Sequence, residues 1–147
     1  MFLSIDIGTS SIKSALFNKE AEIVGDSLNS ILHEQSFTKS GGVEEDPQKL
    51  FNSTLESISR LNTYVLEHNF KILSVSITSI VSTLVGLDSK YDPITPVYLY
   101  SDTRNKDYVD RLTDNDENDR YQRTGVKNHT SYQPSRLLWL RENYNQY

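Results

Sequence analysis

A four-residue turn of small residues, Gly8-Thr9-Ser10-Ser11, separates the first two apolar runs of the sequence, at 2–7 and 14–17. A polar turn then leads into a third run, Ala21 to Leu28. Short apolar runs punctuated by turn residues are typical of strands joined by hairpins. The chain is therefore predicted to open with a three-stranded antiparallel meander.

A long helix is predicted after the meander. Asp46-Pro47 is a typical helix start, because aspartate caps free backbone N–H groups and proline suits the first helical position. Apolar residues then recur every three or four positions as far as about His68: Leu50, Phe51, Leu55, Ile58, Leu61 and Val65. We expect this stripe to pack on a sheet that includes residues 72–78, where β-branched residues alternate with polar ones. A strand reached through a helical crossover indicates an α/β fold.

The second half of the sequence is less regular. Val81 to Leu87 and Ile94 to Tyr100 predict two further strands, joined by a turn. Residues 110–120 are dense in Asp and Asn and poor in apolar side chains. A final helix is predicted to begin at Pro134, and its apolar members are Leu137, Leu138, Trp139 and Leu140.

Composition excludes several classes of function. The chain has 147 residues, a formal net charge of −5 and no cysteine. Its acidic balance is unlike the basic surface of a nucleic-acid binder, and a chain without cysteine has no disulfides, thiolate zinc sites or cysteine nucleophile. No apolar run approaches the roughly 20 residues of a membrane span, and the N-terminus lacks the features of a signal peptide. We expect a cytoplasmic protein that binds neither nucleic acid nor membranes.

The turn after Asp6 is the strongest candidate binding site. Small residues expose backbone N–H groups and hydroxyls toward one point, and such a nest admits phosphate oxygens. Asp6 could hold Mg²⁺ through a hard carboxylate oxygen, and Lys13 could offset phosphate charge. The alternative is an ordinary hairpin in which Asp6 caps its own turn. Neither G-x-x-x-x-G-K-[ST] nor G-x-G-x-x-G occurs, so a nucleotide would have to bind at a hairpin rather than a helix-opening loop.

Three other features contain residue types that bind ligands or metals elsewhere, and each has a plain structural explanation. Asp102-Thr103-Arg104 follows a predicted strand end, where α/β folds place ligand contacts, but a helix cap followed by a surface arginine explains it equally well. His33, His68 and His129 lack the spacing of metal ligands and are interpreted as surface or turn residues. The run from Asp114 to Asp119 lacks the EF-hand glycine and is interpreted as a solvated helix face.

Short motifs follow one another along the whole chain. They are IDIGTSSIK at 5–13, GVEEDP at 42–47, VSIT at 75–78, LD at 87–88, PVYLYSDTR at 96–104, RTG at 123–125 and LLWL at 137–140. In this order and at this spacing they resemble the N-terminal part of the FGGY carbohydrate kinases, the family of glycerol, xylulose and gluconate kinases. The segment from Arg123 to Leu140 is most similar to the gluconate-kinase branch.

The resemblance implies an α/β fold of the ribonuclease H-like, actin-like ATPase superfamily, and a kinase that uses ATP and Mg²⁺ to phosphorylate a small sugar or polyol. The implied cofactor contacts are Asp6, Gly8, Thr9, Ser10, Ser11 and Lys13, with Asp6 also near the metal. The implied substrate contacts are Val81, Ser82, Asp102, Arg104, Ser131 and Tyr132. Val81-Ser82 stand where glycerol kinases carry Arg-Glu and xylulose kinases Met-His, so the resemblance does not fix the sugar.

The resemblance also implies that residues 1–147 form the N-terminal part of the first of two kinase domains. In the family, the catalytic aspartate, the second half of the first domain and the C-terminal adenosine-binding domain lie downstream. No catalytic residue is therefore expected in this chain, and the chain alone is expected to be inactive and to form homo-oligomers. The alternative is a non-catalytic sugar- or protein-binding module derived from a kinase domain, which the unusual Val81-Ser82 pair favours. An actin-like ATPase or scaffold is disfavoured by the GGVEEDP and DTR segments.

Overall fold

The structure is a computed structural model that describes residues 1–113 and 117–144, and it divides into two compact units. One unit comprises residues 1–35 and 46–80, and the other residues 36–45 and 81–147. The strands are β1 (Phe2–Ile7), β2 (Ser11–Phe17), β3 (Asn29–Leu32), β4 (Ser36–Phe37), β5 (Val43–Glu45), β6 (Ser74–Ser79) and β7 (Val97–Tyr98). The helices are α1 (Pro47–Glu67), α2 (Lys106–Leu112), α3 (Glu117–Thr124) and α4 (Gln133–Asn143).

The first unit contains a four-stranded sheet in the order β3-β2-β1-β6. The strands β1, β2 and β3 form the predicted antiparallel meander, and β6 joins β1 in parallel after the α1 crossover. The expected α/β fold with an antiparallel opening is thus confirmed.

The third strand of the meander lies at 29–32, so its predicted position at 21–28 is wrong. Ala21 has a positive φ of 62°, and the chain pairs with β2 there through the isolated bridge between Phe17 and Ile23 rather than through a ladder. The hydroxyl of Ser27 then accepts a 3.1 Å hydrogen bond from the Leu16 backbone N–H. A side chain therefore takes the place that a backbone carbonyl would hold in a ladder, and regular pairing begins only at Asn29.

Helix α1 begins and ends as the sequence predicts. Asp46 is its N-cap and accepts hydrogen bonds from the backbone N–H groups of Gln48 and Lys49, at 2.8 and 3.0 Å. His68 is the C-cap. The helix contacts β2 and β3, where Leu61 and Val65 join the core formed by Leu3, Ile5, Ile12 and Leu16.

The buried stripe of α1 is rotated from the predicted one. Leu50 and Ile58 pack against the core as expected, but Leu55 is 48% exposed, so its predicted burial is wrong. Ser57 is fully buried in its place, because its hydroxyl lies 2.8 Å from the Ser14 hydroxyl and donates to Asn29 Oδ1 at 2.8 Å. A polar pair between helix and sheet therefore sets which side of the helix faces inward.

The second unit contains the three-stranded antiparallel sheet β4-β5-β7 and the helices α2, α3 and α4. The predicted strand at 81–87 is wrong, and the one at 94–100 shortens to β7. Ser82 has a positive φ of 56°, and the Thr95 hydroxyl accepts a 2.7 Å hydrogen bond from the Gly86 N–H, so regular pairing is interrupted twice. Isolated bridges remain at Leu84–Tyr98 and Leu87–Pro93.

The C-terminal helix α4 begins at Gln133 with a proline in its first turn, as predicted. In the acidic run, Glu117 to Asp119 open α3, whereas residues 114–116 lie outside the described residues. None of the helices within 1–113 and 117–144 is both long enough and apolar enough to cross a membrane.

Candidate functional site

Three polar side chains form a row across the sheet of the first unit. Asp6 in β1 pairs directly with Lys13 in β2 and with Thr78 in β6. Residues directly opposite one another point to the same face of a sheet, so this row lies on one face, one residue from the end of β1. The Thr78 hydroxyl donates a 2.7 Å hydrogen bond to Asp6 Oδ1, and both Asp6 and Lys13 are exposed.

The turn beside this row is closed at Gly8. Its N–H donates a 3.0 Å hydrogen bond to the Ser11 carbonyl, and a Cβ at Gly8 would lie 2.9 Å from that oxygen and 3.7 Å from Asp6 Oδ2. The first distance is too short for a real Cβ, so this position requires glycine. Thr9 is half-buried, Ser10 is exposed and Ser11 is buried. Ser10 is therefore the most accessible residue of the turn.

One neighbouring segment bonds three successive carbonyls of the turn. The His33 ring Nε2 lies 3.0 Å from the Gly8 carbonyl, and the Gln35 amide donates to the Thr9 carbonyl at 2.7 Å. The backbone N–H of His33 donates to the Ser10 carbonyl at 3.3 Å. From the sequence, His33 is interpreted as a surface or turn residue, and Gln35 carries no functional signal. No spacing rule could have identified them, since the contacts depend on the position of the chain after β3.

The chemistry of this end of the sheet fits a magnesium ion. Mg²⁺ in phosphoryl-transfer sites is held by one or two carboxylates together with phosphate oxygens and water. Asp6 supplies one exposed carboxylate beside the turn, and the described residues contain no cluster of three or more His, Cys, Asp or Glu side chains that would form an all-protein cage. An ion at Asp6 would therefore depend on a phosphate ligand.

The second group of predicted contacts lies in the other unit, around the turn at Val81-Ser82. Val81 is 78% exposed, and Ser82 is half-buried with left-handed backbone geometry. Its carbonyl accepts a 2.5 Å hydrogen bond from Nη1 of Arg136, a residue of α4. The turn is thus fixed through its backbone, which leaves the side chains of both residues available to a ligand.

Ser131 and Tyr132 lie in the loop that precedes α4. The Ser131 hydroxyl donates to the Tyr100 carbonyl at 2.9 Å, and its backbone N–H donates to His129 Nδ1 at 3.1 Å. Tyr132 is 43% exposed and meets the His129 ring edge-to-face, with the ring centroids 5.9 Å apart. Tyr132 is therefore the more accessible of the two.

Asp102 and Arg104 are occupied by internal contacts. The Asp102 carboxylate accepts hydrogen bonds from the backbone N–H of Val43 at 3.2 Å and from Arg104 Nη2 at 2.6 Å. Arg104 also pairs with Glu44 at 2.6 Å and lies 4.8 Å from the Trp139 ring centroid. Burial lowers the pKa of Arg104, but its bonds to Asp102 and Glu44 outweigh this and raise the pKa above its ordinary value. The side chain is 12% exposed, so the surface-arginine interpretation is wrong.

Arg136, a residue that was not predicted from the sequence, connects the parts of this second group. It is 4% exposed, and its guanidinium donates to the carbonyls of Ser82, Tyr98, Leu99 and Thr130. Burial lowers its pKa, and the charge of nearby Asp102 opposes that shift. An arginine between a proline and an apolar run gives no sequence signal for such burial.

Comparison with known proteins identifies relatives over the whole chain. Residues 1–147 match the model of the N-terminal domain of the FGGY family of carbohydrate kinases. The glycerol kinase of Pseudarthrobacter chlorophenolicus is 31% identical over 143 residues, which are 96% of this chain and 28% of that protein. The xylulose kinase of Staphylococcus xylosus is 32% identical over 115 residues, which are 77% of this chain and 23% of that protein.

A solved structure shows the same arrangement of elements. The gluconate kinase of Lactobacillus acidophilus superposes with a TM-score of 0.84 at 26% identity, and the match covers 99% of this chain and 29% of that one. Glycerol, xylulose and gluconate kinases all match, so the comparisons do not choose among these acceptors. The chain spans less than a third of the length of each.

Proposed function

The chain belongs to the FGGY family of carbohydrate kinases, and on that premise we propose that it supplies the phosphate-binding hairpin and part of the acceptor site of an ATP-dependent kinase. The reaction would transfer the γ-phosphoryl group of ATP to a hydroxyl of a sugar, sugar acid or polyol, and it would release ADP and the hydroxyl proton. Glycerol, xylulose and gluconate are the acceptors to test.

The row Lys13–Asp6–Thr78 is the observation that carries this proposal. It places a carboxylate and an ammonium group on one face of the sheet, beside the turn that only glycine can close. We assign the Gly8–Ser11 turn and Lys13 to the ATP phosphates, and Asp6 to Mg²⁺. When bound, Mg²⁺ would neutralise phosphate charge, while Thr78 would hold the Asp6 carboxylate in place and Lys13 would supply a point charge.

For the acceptor site we propose Val81, Ser82, Ser131 and Tyr132 as the residues that contact the substrate. Ser82 offers a small hydroxyl, and Tyr132 an exposed aromatic face. Asp102 and Arg104 bond to each other and to β5, which supports a role in fixing the loop between β7 and α2 rather than direct contact. We assign them to the support of this site.

We propose that transfer requires parts of the kinase that this chain does not include. The chain covers 28% of the glycerol kinase of Pseudarthrobacter chlorophenolicus, and family resemblance places the catalytic aspartate and the adenosine-binding domain in the remaining part. A base that accepts the hydroxyl proton is needed for efficient transfer. Residues 1–147 would then form only the first part of the first kinase domain.

A coupled assay of ADP release tests this proposal. The 147-residue chain and a longer protein in which it is joined to the remaining kinase segments would each be given Mg·ATP with glycerol, xylulose or gluconate. We expect turnover by the longer protein with one of these acceptors, and none by the chain alone. Turnover by the chain alone would overturn the assignment of the base, and no turnover by the longer protein would overturn the kinase proposal.

A non-catalytic binding module is the second candidate. By the family resemblance, Val81-Ser82 stand where glycerol kinases carry Arg-Glu and xylulose kinases Met-His, and this departure favours the alternative. Calorimetric binding of a sugar or a protein partner to the longer protein, without any ADP release, would support this alternative over the kinase.

A further inference from the structure

The segment after β3 controls which backbone groups the Gly8–Ser11 turn presents. The carbonyls of Gly8, Thr9 and Ser10 all accept hydrogen bonds from His33 and Gln35, at 3.0, 2.7 and 3.3 Å. A carbonyl can only accept a hydrogen bond. The His33 ring must therefore carry a proton on Nε2, and Gln35 must present its amide N–H. Two residues therefore bind three successive carbonyls.

These bonds determine where the N–H groups of the turn point. In a trans peptide unit the C=O and the following N–H point in opposite directions. The Gly8 carbonyl points toward His33, so the Thr9 N–H points away from His33. The Thr9 carbonyl points toward Gln35, so the Ser10 N–H points away from Gln35. Within residues 1–113 and 117–144, neither N–H group donates to another backbone group. Both are available to an external acceptor.

We propose that His33 and Gln35 are positioning residues that keep the turn's carbonyls away from the ATP phosphates and its N–H groups toward them. This inference rests on the proposed function, because it assumes that phosphate binds at the turn. A carbonyl turned toward phosphate would repel it, whereas an N–H would attract it. Neither His33 nor Gln35 is required to contact the nucleotide.

The proposal predicts a selective change in nucleotide kinetics. In the longer kinase, the double variant His33→Phe/Gln35→Met keeps the side-chain volumes but removes both side-chain donors. We expect the KM for ATP to rise about tenfold or more, while the KM for the sugar stays within about twofold. Glutamine at position 33 in place of phenylalanine (His33→Gln) restores a side-chain donor there and should reverse most of the rise in the KM for ATP. Gln48→Met is the matched control, because the Gln48 side-chain amide donates to Asn52 on the exposed side of α1, away from the turn.

A second measurement follows the turn itself. Nuclear magnetic resonance of the 147-residue chain, titrated with magnesium tripolyphosphate, should shift the Thr9 and Ser10 amide signals in the wild type and much less in the double variant. An active kinase whose KM for ATP is unchanged by the double variant would overturn the inference alone. A wild type with neither turnover nor amide shifts would overturn the proposed function, and the inference with it.

Discussion

Thr78 donates a 2.7 Å hydrogen bond to Asp6 across the parallel pair of β6 and β1. The two residues are 72 positions apart in the sequence and meet because the chain returns after α1 to the edge of β1 opposite β2. The bond fixes the carboxylate on the face that also carries Lys13. The crossover thus orients the proposed metal ligand as well as building the sheet.

Burial along α1 predicts that truncating two leucines six positions apart lowers the free energy of unfolding by very different amounts. Leu61 is 1% exposed and Leu55 is 48% exposed. Leu61→Ala should lower the free energy of unfolding by about 2–5 kcal/mol, because it removes buried contacts and leaves a cavity. Leu55→Ala should cost about 1 kcal/mol or less. Urea unfolding of the 147-residue chain measures both, and equal losses would contradict the packing described for α1.

The contrast between Leu61 and Leu55 shows how much of the fold the sequence predicts. Apolar spacing and the Asp46 cap predict where α1 begins, where it ends and that it crosses over to a parallel strand. They do not predict its rotation, because the deciding contact is the polar pair of Ser57 and Ser14. Likewise, Ser27 and Thr95 use side-chain hydroxyls to interrupt ladders that hydropathy alone would extend.

The sequence likewise predicts some residues of the candidate site and not others. The small residues from Gly8 to Ser11 predict the nest, and the likeness to a kinase family predicts its ligand. The supporting residues His33, Gln35 and Arg136 were not predictable, because each acts on backbone carbonyls that are distant in the sequence. Backbone acceptors leave no pattern of residue types, so only the three-dimensional structure identifies their partners.

The turn at Gly8 is tight, so a substitution there should affect the stability of the chain as well as activity. Any side chain at position 8 would disturb the turn, because a Cβ would lie 2.9 Å from the Ser11 carbonyl. Gly8→Ala should therefore lower the melting temperature of the chain as well as remove ATP-dependent turnover of the longer kinase. Calorimetry on wild type and variant checks this, and an unchanged melting temperature would contradict the described geometry.

The hydroxyl of Ser82 can be removed without disturbing its turn. Ser82 has a φ of 56°, which glycine adopts readily, and the bond from Arg136 is to the Ser82 carbonyl. Ser82→Gly should therefore change the relative kcat/KM values for glycerol, xylulose and gluconate while the KM for ATP stays within about twofold. If the acceptor preference is unchanged, Ser82 does not contact the sugar.

The exposed edge of the first sheet predicts self-association of the 147-residue chain. Strand β6 pairs only with β1 within the described residues, and Val75 and Ile77 are 56% and 60% exposed. An edge strand with apolar side chains favours pairing with a second copy. Light scattering should show dimers or larger species, and Val75→Lys/Ile77→Lys should reduce them. A monodisperse monomer of the wild type at high concentration would contradict this prediction.

Asp6→Asn in the longer kinase, measured at limiting Mg²⁺, tests the central claim most directly. Asparagine keeps the shape of the side chain and can still accept the bond from Thr78, so the melting temperature should be unchanged. Removing the charge should nevertheless lower kcat/KM for ATP about 100-fold or more, a loss that added Mg²⁺ reverses only in part. Turnover equal to that of the wild type at limiting Mg²⁺ would contradict the assignment of Asp6 to the metal and phosphates.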